Sequence, residues 1–205
     1  MIETAMVMAA GHGTRMRPLT DDRSKAMVEV AGRTLIDHML DRLAEAGVKR
    51  VVVNVHAHAD HLEAHLKART RGPEIIISCE RDALLETGGG VVKALPLLGD
   101  DPIFICNIDA VWTEFAPVLQ ALVQAWDAKT MDDLFLLAPT QDCLGFHGAG
   151  DFDMDRTGRL HWRSGDSAPW VYAGVQIFTP ARAKGYPQTR FSRKEIWEKT
   201  VGRGR

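Results

Sequence analysis

MVMAAGHGTRMRPLT, residues 6–20, starts as a run of small and apolar residues and ends in Gly11-His12-Gly13, with Thr14, Arg15 and Arg17 directly behind. An unbroken apolar run closed by glycine is the pattern of a strand covered on both faces of a parallel sheet. Glycines let successive backbone N–H groups approach an anion. Arg15 adds a rigid, multi-donor charge suited to a polyphosphate, and Lys25 follows with a mobile point charge. Two commoner phosphate loops fail on residue identity. The dinucleotide fingerprint needs a third glycine where Met16 stands, and the Walker loop needs Gly-Lys-Ser/Thr where this chain has Gly-Thr-Arg. A tight turn with surface arginines is the plain alternative.

Outward from this loop the chain alternates. TAMVMAA (4–10), VKRVVVNV (48–55), EIIISCE (74–80), PIFICNID (102–109) and DLFLLAP (133–139) read as strands. Between them TLIDHMLDRLAEAG places Leu35, Ile36, Met39, Leu40, Leu43 and Ala46 at helical spacing, with Gly47 as a stop. DHLEAHLKART predicts a helix with Asp60 at the cap and Glu63 three residues on. GGVVKALPLLG predicts a short helix ending near Pro96, and EFAPVLQALVQAWDAK a longer one. After Pro139 the alternation breaks into shorter strands, FDMD, RLHW and WVYAGVQIF, the last returning to the sheet. The expected fold is α/β, a three-layer α/β/α sandwich on a mostly parallel, mixed central sheet. Ligands of such sheets bind beyond the carboxyl ends of the strands, where GHGTRMRP, LLETGGG and NIDAVW all fall.

The 205 residues suit one domain over 1–205, with 45% hydrophobic and 25% charged residues and a formal net charge of −2. That balance gives no reason to expect nucleic acid or an acidic membrane surface as a partner. Cys79, Cys106 and Cys143 are too dispersed for a zinc motif, and the first and second of them, in apolar runs, read as small buried hydrophobes. No secretory leader opens the chain and no apolar run reaches the ~20 residues of a membrane span, so a cytoplasmic protein is expected.

AAGHGTRMRPLTDDRSK resembles the signature of sugar-1-phosphate nucleotidyltransferases, and LETGGGVVKALPLLG and NIDAVWT are most similar to the bacterial N-acetylmuramate 1-phosphate uridylyltransferases within that family. The resemblance implies a Rossmann-like nucleotidyltransferase fold. It also implies transfer of a nucleoside monophosphate, UMP from UTP, to a sugar 1-phosphate with release of pyrophosphate. GTP with mannose 1-phosphate is a same-class alternative. A non-catalytic relative that only binds nucleotide or nucleotide sugar is another, and a dinucleotide oxidoreductase fails at Met16.

Carried over by position, Ala10, Gly11, His12, Gly13 and Thr14 would hold the nucleotide phosphates, Arg15 the leaving pyrophosphate, and Lys25 the charge around the α-phosphate. Glu80, Glu86, Thr87 and Gly88 would face base and ribose, the ETGGG segment being a loop. Asp109 would bind Mg²⁺. Asn107, Gly150, Asp151 and Gly174 would face the sugar, dividing the chain into a nucleotide half (1–140) and a sugar half (141–205) of a monomer or small homo-oligomer. The prolines that flank the family lysine are Ser24 and Ala26 here. The family's second metal carboxylate, near the C-terminus, has no counterpart after Asp166 except Glu195 and Glu198. Either the segment that carries it lies beyond Arg205 or the metal is held without it.

Three further constellations read as structural. His56, His58, His61 and His65 suit a polar loop and helix face, and no carboxylate or cysteine pattern completes a ligand set. Asp151, Asp153 and Asp155 alternate as on one face of a strand. Of the tryptophans, Trp112, just beyond Asp109, is the candidate for ligand contact.

Overall fold

The computed structural model describes residues 1–109, 111–113 and 116–205. The chain runs β1 (Thr4–Met8), a two-residue hairpin pair β2 (Glu29–Val30) and β3 (Arg33–Thr34), α1 (Leu35–Glu45), β4 (Arg50–Val55), α2 (Ala59–Lys67), β5 (Glu74–Cys79), α3 (Glu86–Leu98) and β6 (Ile103–Asn107). It continues with α4 (Val118–Ala125), β7 (Asp133–Pro139), β8 (Phe152–Met154), β9 (Leu160–Trp162), β10 (Trp170–Phe178) and α5 (Lys194–Arg203). The main sheet is ordered β5-β4-β1-β6-β10-β8-β9, with β7 on the other edge of β10. β5, β4, β1 and β6 are parallel, whereas β10 returns antiparallel to both β6 and β7. This is the mixed, mostly parallel sheet expected.

Alternation along the buried strands sorts the core into two layers. Ala5 and Val7 of β1, Val51 and Val53 of β4, and Phe104 and Cys106 of β6 pack under Ile36, Leu40 and Leu43 of α1, Leu62 of α2 and Leu119 of α4. Met6, Met8, Val52, Ile103 and Ile105 face the other way, against Val91, Ala94 and Leu98 of α3 and Ile196 of α5. A third, aromatic cluster of Phe135, Phe152 and Trp197 joins β7, β8 and α5. Among the described residues no helix is long and apolar enough to cross a membrane.

Three sequence expectations are corrected. The α2 capping box does not form: His58 precedes the helix with φ of 51° and caps nothing, because Asp60 and Glu63 instead reach Arg81 beyond β5. The ETGGG segment is helical, since α3 starts at Glu86 and runs through Pro96 to Leu98. Cys79 is exposed, as the last residue of the edge strand β5, while Cys106 is buried as expected. Of the helix expected over 114–129, Val118–Ala125 is formed, and the Glu114 and Phe115 positions lie outside the described residues.

Candidate active site

The parallel strands end level with one another. Met8 is in register with Asn54 on β4 and with Asn107 on β6, and Val55 with Cys79 on β5. The segments that follow, Ala9–Thr14, His56, Glu80 and Ile108–Asp109, therefore emerge along one edge of the sheet, where open α/β sheets bind ligands.

The glycine loop is built by its own short-range contacts. Gly13 has φ of 64°, its carbonyl accepts from Thr20 Oγ1 at 2.8 Å, and a Cβ there would meet Thr20 Cγ2 at 2.9 Å. The positive φ and the crowding both require glycine. Ala10 is buried, while His12, Thr14 and Arg15 are exposed. Among the described residues the amides of Gly11, His12 and Gly13 meet no protein acceptor, and no acidic group pairs with the Arg15 guanidinium. The loop thus presents unsatisfied donors and a free cation, which is what an anion site needs.

Lys25 is carried by a short turn whose buried Ser24 accepts the Ala26 amide at 3.3 Å. This hydrogen-bonded cap, with Ala26, Met27 and Val28 buried behind it, fixes the backbone that carries Lys25. The Lys25 ammonium lies 2.9 Å from Asp109 Oδ2. A Cβ on Gly11 would lie 3.8 Å from that ammonium. The structure therefore brings together Gly11, Lys25 and Asp109, which are separated by up to 98 positions in sequence. Asn107 Oδ1, two residues before Asp109, is buried with no hydrogen-bond partner among the described residues.

The α3 entry is closed by protein. Glu86, at φ of 58°, pairs with Arg190 at 2.9 Å, and Thr87 Oγ1 accepts from the Arg193 amide at 2.9 Å. The Gly88 amide donates to Phe191 O at 2.9 Å. A Cβ on Gly88 would collide with the Phe191 ring, and one on Gly89 with Thr189 O, while one on Gly90 would meet Glu80 Oε1 at 2.8 Å. In this structure the three glycines serve the close approach of a helix to residues 189–193 and to Glu80. Glu80 itself is fully buried, its carboxylate bonded to Asn54 and to the Leu85 amide.

The other candidates sit around β10. Gly150, at φ of 79°, has no room for a Cβ against Ala168 O. Asp151 Oδ2 accepts from the Tyr172 amide at 3.0 Å, tying the 150s to β10. Gly174, at φ of 84°, falls where the β10–β7 register shifts between Tyr172 and Gln176. Trp112 stacks under the Arg42 guanidinium at 4.5 Å and accepts from it through its carbonyl at 2.7 Å. His56 meets Glu80 O and His65 meets Asp37, and among the described residues no group of three or more His, Cys, Asp or Glu could hold a metal. Asp155 organises the β8–β9 turn, where the Thr157 hydroxyl and amide and the Arg159 amide lower its pKa to about 2. The residue that sequence reasoning missed is Asn54. It reads as one more position in a β-branched strand, and its partners lie 45 and 26 residues away.

The nucleotidyl transferase family matches residues 4–146. The N-acetylmuramate alpha-1-phosphate uridylyltransferase of Caulobacter vibrioides is 50% identical over 206 residues, covering 98% of this chain and 85% of that protein. The inositol-1-phosphate CTP transferase of T. maritima shares the fold with a TM-score of 0.79 at 21% identity, over 99% of this chain and 82% of that one. A UDP-glucose pyrophosphorylase complexed with UDP-glucose aligns with a TM-score of 0.77 at 14% identity, over 99% and 88%. The free-donor glycine loop, the lysine–aspartate pair at the strand ends and these likenesses agree, and the chain belongs to the nucleotidyl transferase family, among its sugar-1-phosphate nucleotidyltransferases.

Proposed function

We propose that the chain transfers UMP from UTP to N-acetylmuramate 1-phosphate and releases pyrophosphate. The observation that carries this choice of base and sugar is the 50% identity, over nearly the whole chain, to a uridylyltransferase of that sugar phosphate. The sheet edge supplies what the reaction needs. A sugar-phosphate oxygen, already anionic, attacks the α-phosphorus while pyrophosphate leaves in line, so no general base is required. The task is to hold two mutually repelling anions together and to neutralise their charge.

In this reading the Gly11, His12 and Gly13 amides receive the phosphates beside Thr14, whereas the expected Ala10 amide is taken by Asn54 Oδ1. Arg15 takes the leaving pyrophosphate, and Lys25 leaves Asp109 to meet the α-phosphate. Mg²⁺ suits Asp109, because that ion takes one or two carboxylates and fills its remaining positions with water and substrate phosphate oxygens. Asn107 Oδ1, two residues before Asp109 in the chain, is a neutral oxygen with no hydrogen-bond partner among the described residues. When bound, the ion supplies charge neutralisation at the triphosphate. Residues 1–140 form the nucleotide half, where Glu86, Thr87 and Gly88 border the base side. Residues 141–205 form the sugar half, where Gly150, Asp151 and Gly174 shape the backbone around the sugar. In this reading the protein works in the cytoplasm.

Pyrophosphate release from UTP plus N-acetylmuramate 1-phosphate, lowered about 10³-fold in Asp109→Ala, is the expected result. Silence across a panel of triphosphates and sugar phosphates would reject it, and turnover confined to GTP with mannose 1-phosphate would move the assignment to guanylyl transfer.

A further inference from the structure

We propose that Asn54 and Glu80 form a buried brace locking the phosphate loop to the entry of α3, with Asn54 the positioning residue of the nucleotide site. This rests on the function proposed above.

The brace begins where β1 ends. Beyond Met8 the next two amides no longer bond along the sheet: Ala9 N and Ala10 N donate to Asn54 Oδ1 at 2.7 and 3.3 Å. One side-chain oxygen thus ends the strand and turns the chain into Gly11. The same carboxamide donates through Nδ2 to Glu80 Oε1 at 2.7 Å, and Glu80 Oε2 accepts from the Leu85 amide at 3.1 Å, one residue before α3. Asn54 is 1% exposed and Glu80 0%. Glu80 also holds His56 through its carbonyl at 2.7 Å, and the His56 ring stands edge-on to His12 at 5.1 Å, so the brace touches the loop a second time.

Every polar atom in this chain of contacts has one assigned direction. The Glu80 carboxylate accepts from two N–H groups and can donate to neither. The Asn54 amide must therefore point its oxygen at the loop and its nitrogen at Glu80. Among the described residues no cation pairs with Glu80, and its charge rests on those two donors and on the amino end of α3. Gly90 completes the arrangement, since a Cβ there would lie 2.8 Å from Glu80 Oε1 and 3.0 Å from Asn54 Nδ2. Glu80, expected to face the nucleotide, acts through Asn54 instead. The loop amides and the α3 entry flank the same ligand edge, so a brace between them sets how the triphosphate is gripped without touching it.

The directionality gives a test that a merely structural role would not pass. N54D sets two carboxylates face to face, and E80Q sets an amide N–H against a donor. The double variant N54D/E80Q reverses the donor and acceptor between positions 54 and 80, keeps all four hydrogen bonds and leaves the charge unchanged. The expected KM for UTP rises about 100-fold in N54D and about 10-fold in E80Q, and returns to within about 3-fold of wild type in the double variant. The KM for the sugar phosphate stays within about 2-fold throughout.

Unchanged KM for UTP in the single variants, equal rises in both KM values, or a folded double variant no better than the worse single would each overturn the proposal. If N54D does not fold, E80Q against the double variant decides. Hydrogen exchange at the Ala9, Ala10 and Leu85 amides reads the brace without turnover: protection should fall in E80Q and recover in the double variant, and failure to recover overturns it. Wild-type protein that releases pyrophosphate from no triphosphate would refute the proposed function, leaving the exchange result to judge the brace.

Discussion

Along β1, β4, β5 and β6 the strands run parallel in unbroken register, and their polar groups gather just past the strand ends, in segments contiguous with the strands. Along β7 and β10 the strands run antiparallel with a register shift, and the polar groups are buried inside the pair. There Gln176 Nε2 donates to Asp133 at 2.6 Å, and the Tyr172 hydroxyl donates to Gln176 Oε1 at 3.3 Å. The Tyr172 oxygen accepts in turn from Arg193, a guanidinium only 2% exposed that lies 4.9 Å from the Trp197 ring. The first region leaves the Arg15 guanidinium and the loop amides of Gly11–Gly13 available at the edge of the sheet. The second uses a cation, a carboxyl and a phenol to hold its own irregular strand together. Ligand chemistry belongs to the region that leaves the Arg15 guanidinium and the Gly11–Gly13 amides without a protein partner among the described residues.

The sharpest way to break this contrast is at Asp109. Its ion pair with Lys25 is partly exposed, so Asp109→Ala should leave the thermal midpoint nearly unchanged. Turnover should fall by about 10³-fold in a pyrophosphate-release assay. Arg193→Ala should do the reverse, removing about 3 kcal/mol of stability by urea titration while the KM for UTP of the folded protein stays within about 2-fold. Arg15→Ala, at an exposed side chain with no ion-pair partner among the described residues, should lower kcat/KM by about 10²-fold with no change in urea midpoint.

The smallest effect is a pH dependence. Burial raises the Asp133 carboxyl from 3.8 to about 7, so between those values the folded chain holds a proton that the unfolded chain releases. The stability from this neutral carboxyl is complete below the unfolded value and is lost as pH rises through about 7. Asp133→Asn removes that titration. Compared with wild type, its urea midpoint should therefore move in the variant's favour as pH rises from about 5 to about 8.

The same contrast explains what was legible in the sequence. The glycine loop is marked by residues adjacent in the chain, a strand, its glycines and nearby charges, whereas the roles of Lys25 and Asp109 rest on the family resemblance. The start of α3 could not be read this way. Three glycines each cost about 1 kcal/mol in a helix and read as a loop. The reason they are helical, the close approach of Thr189, Phe191 and Glu80, lies largely about 100 residues away. Asn54 was hidden for a similar reason, because a side chain that ends a strand is recognisable only once its neighbours in space are known. Asp60 and Glu63 read as a capping box because Arg81, the partner both reach, lies about 20 residues further along the chain. The boundaries of β7 and β10 were read correctly, yet their buried polar network was not, since it depends on cross-strand register and on Arg193 from the helix behind.

The reaction proposed for this edge of the sheet is uridylyl transfer to N-acetylmuramate 1-phosphate. The most direct measurement offers the wild-type protein UTP, GTP, CTP and ATP together at equal concentration, with that sugar phosphate and Mg²⁺, and identifies the product by mass spectrometry. The expected product is UDP-N-acetylmuramate alone, formed with one pyrophosphate per molecule. A product carrying another base, or none while all four triphosphates remain intact, would contradict this assignment.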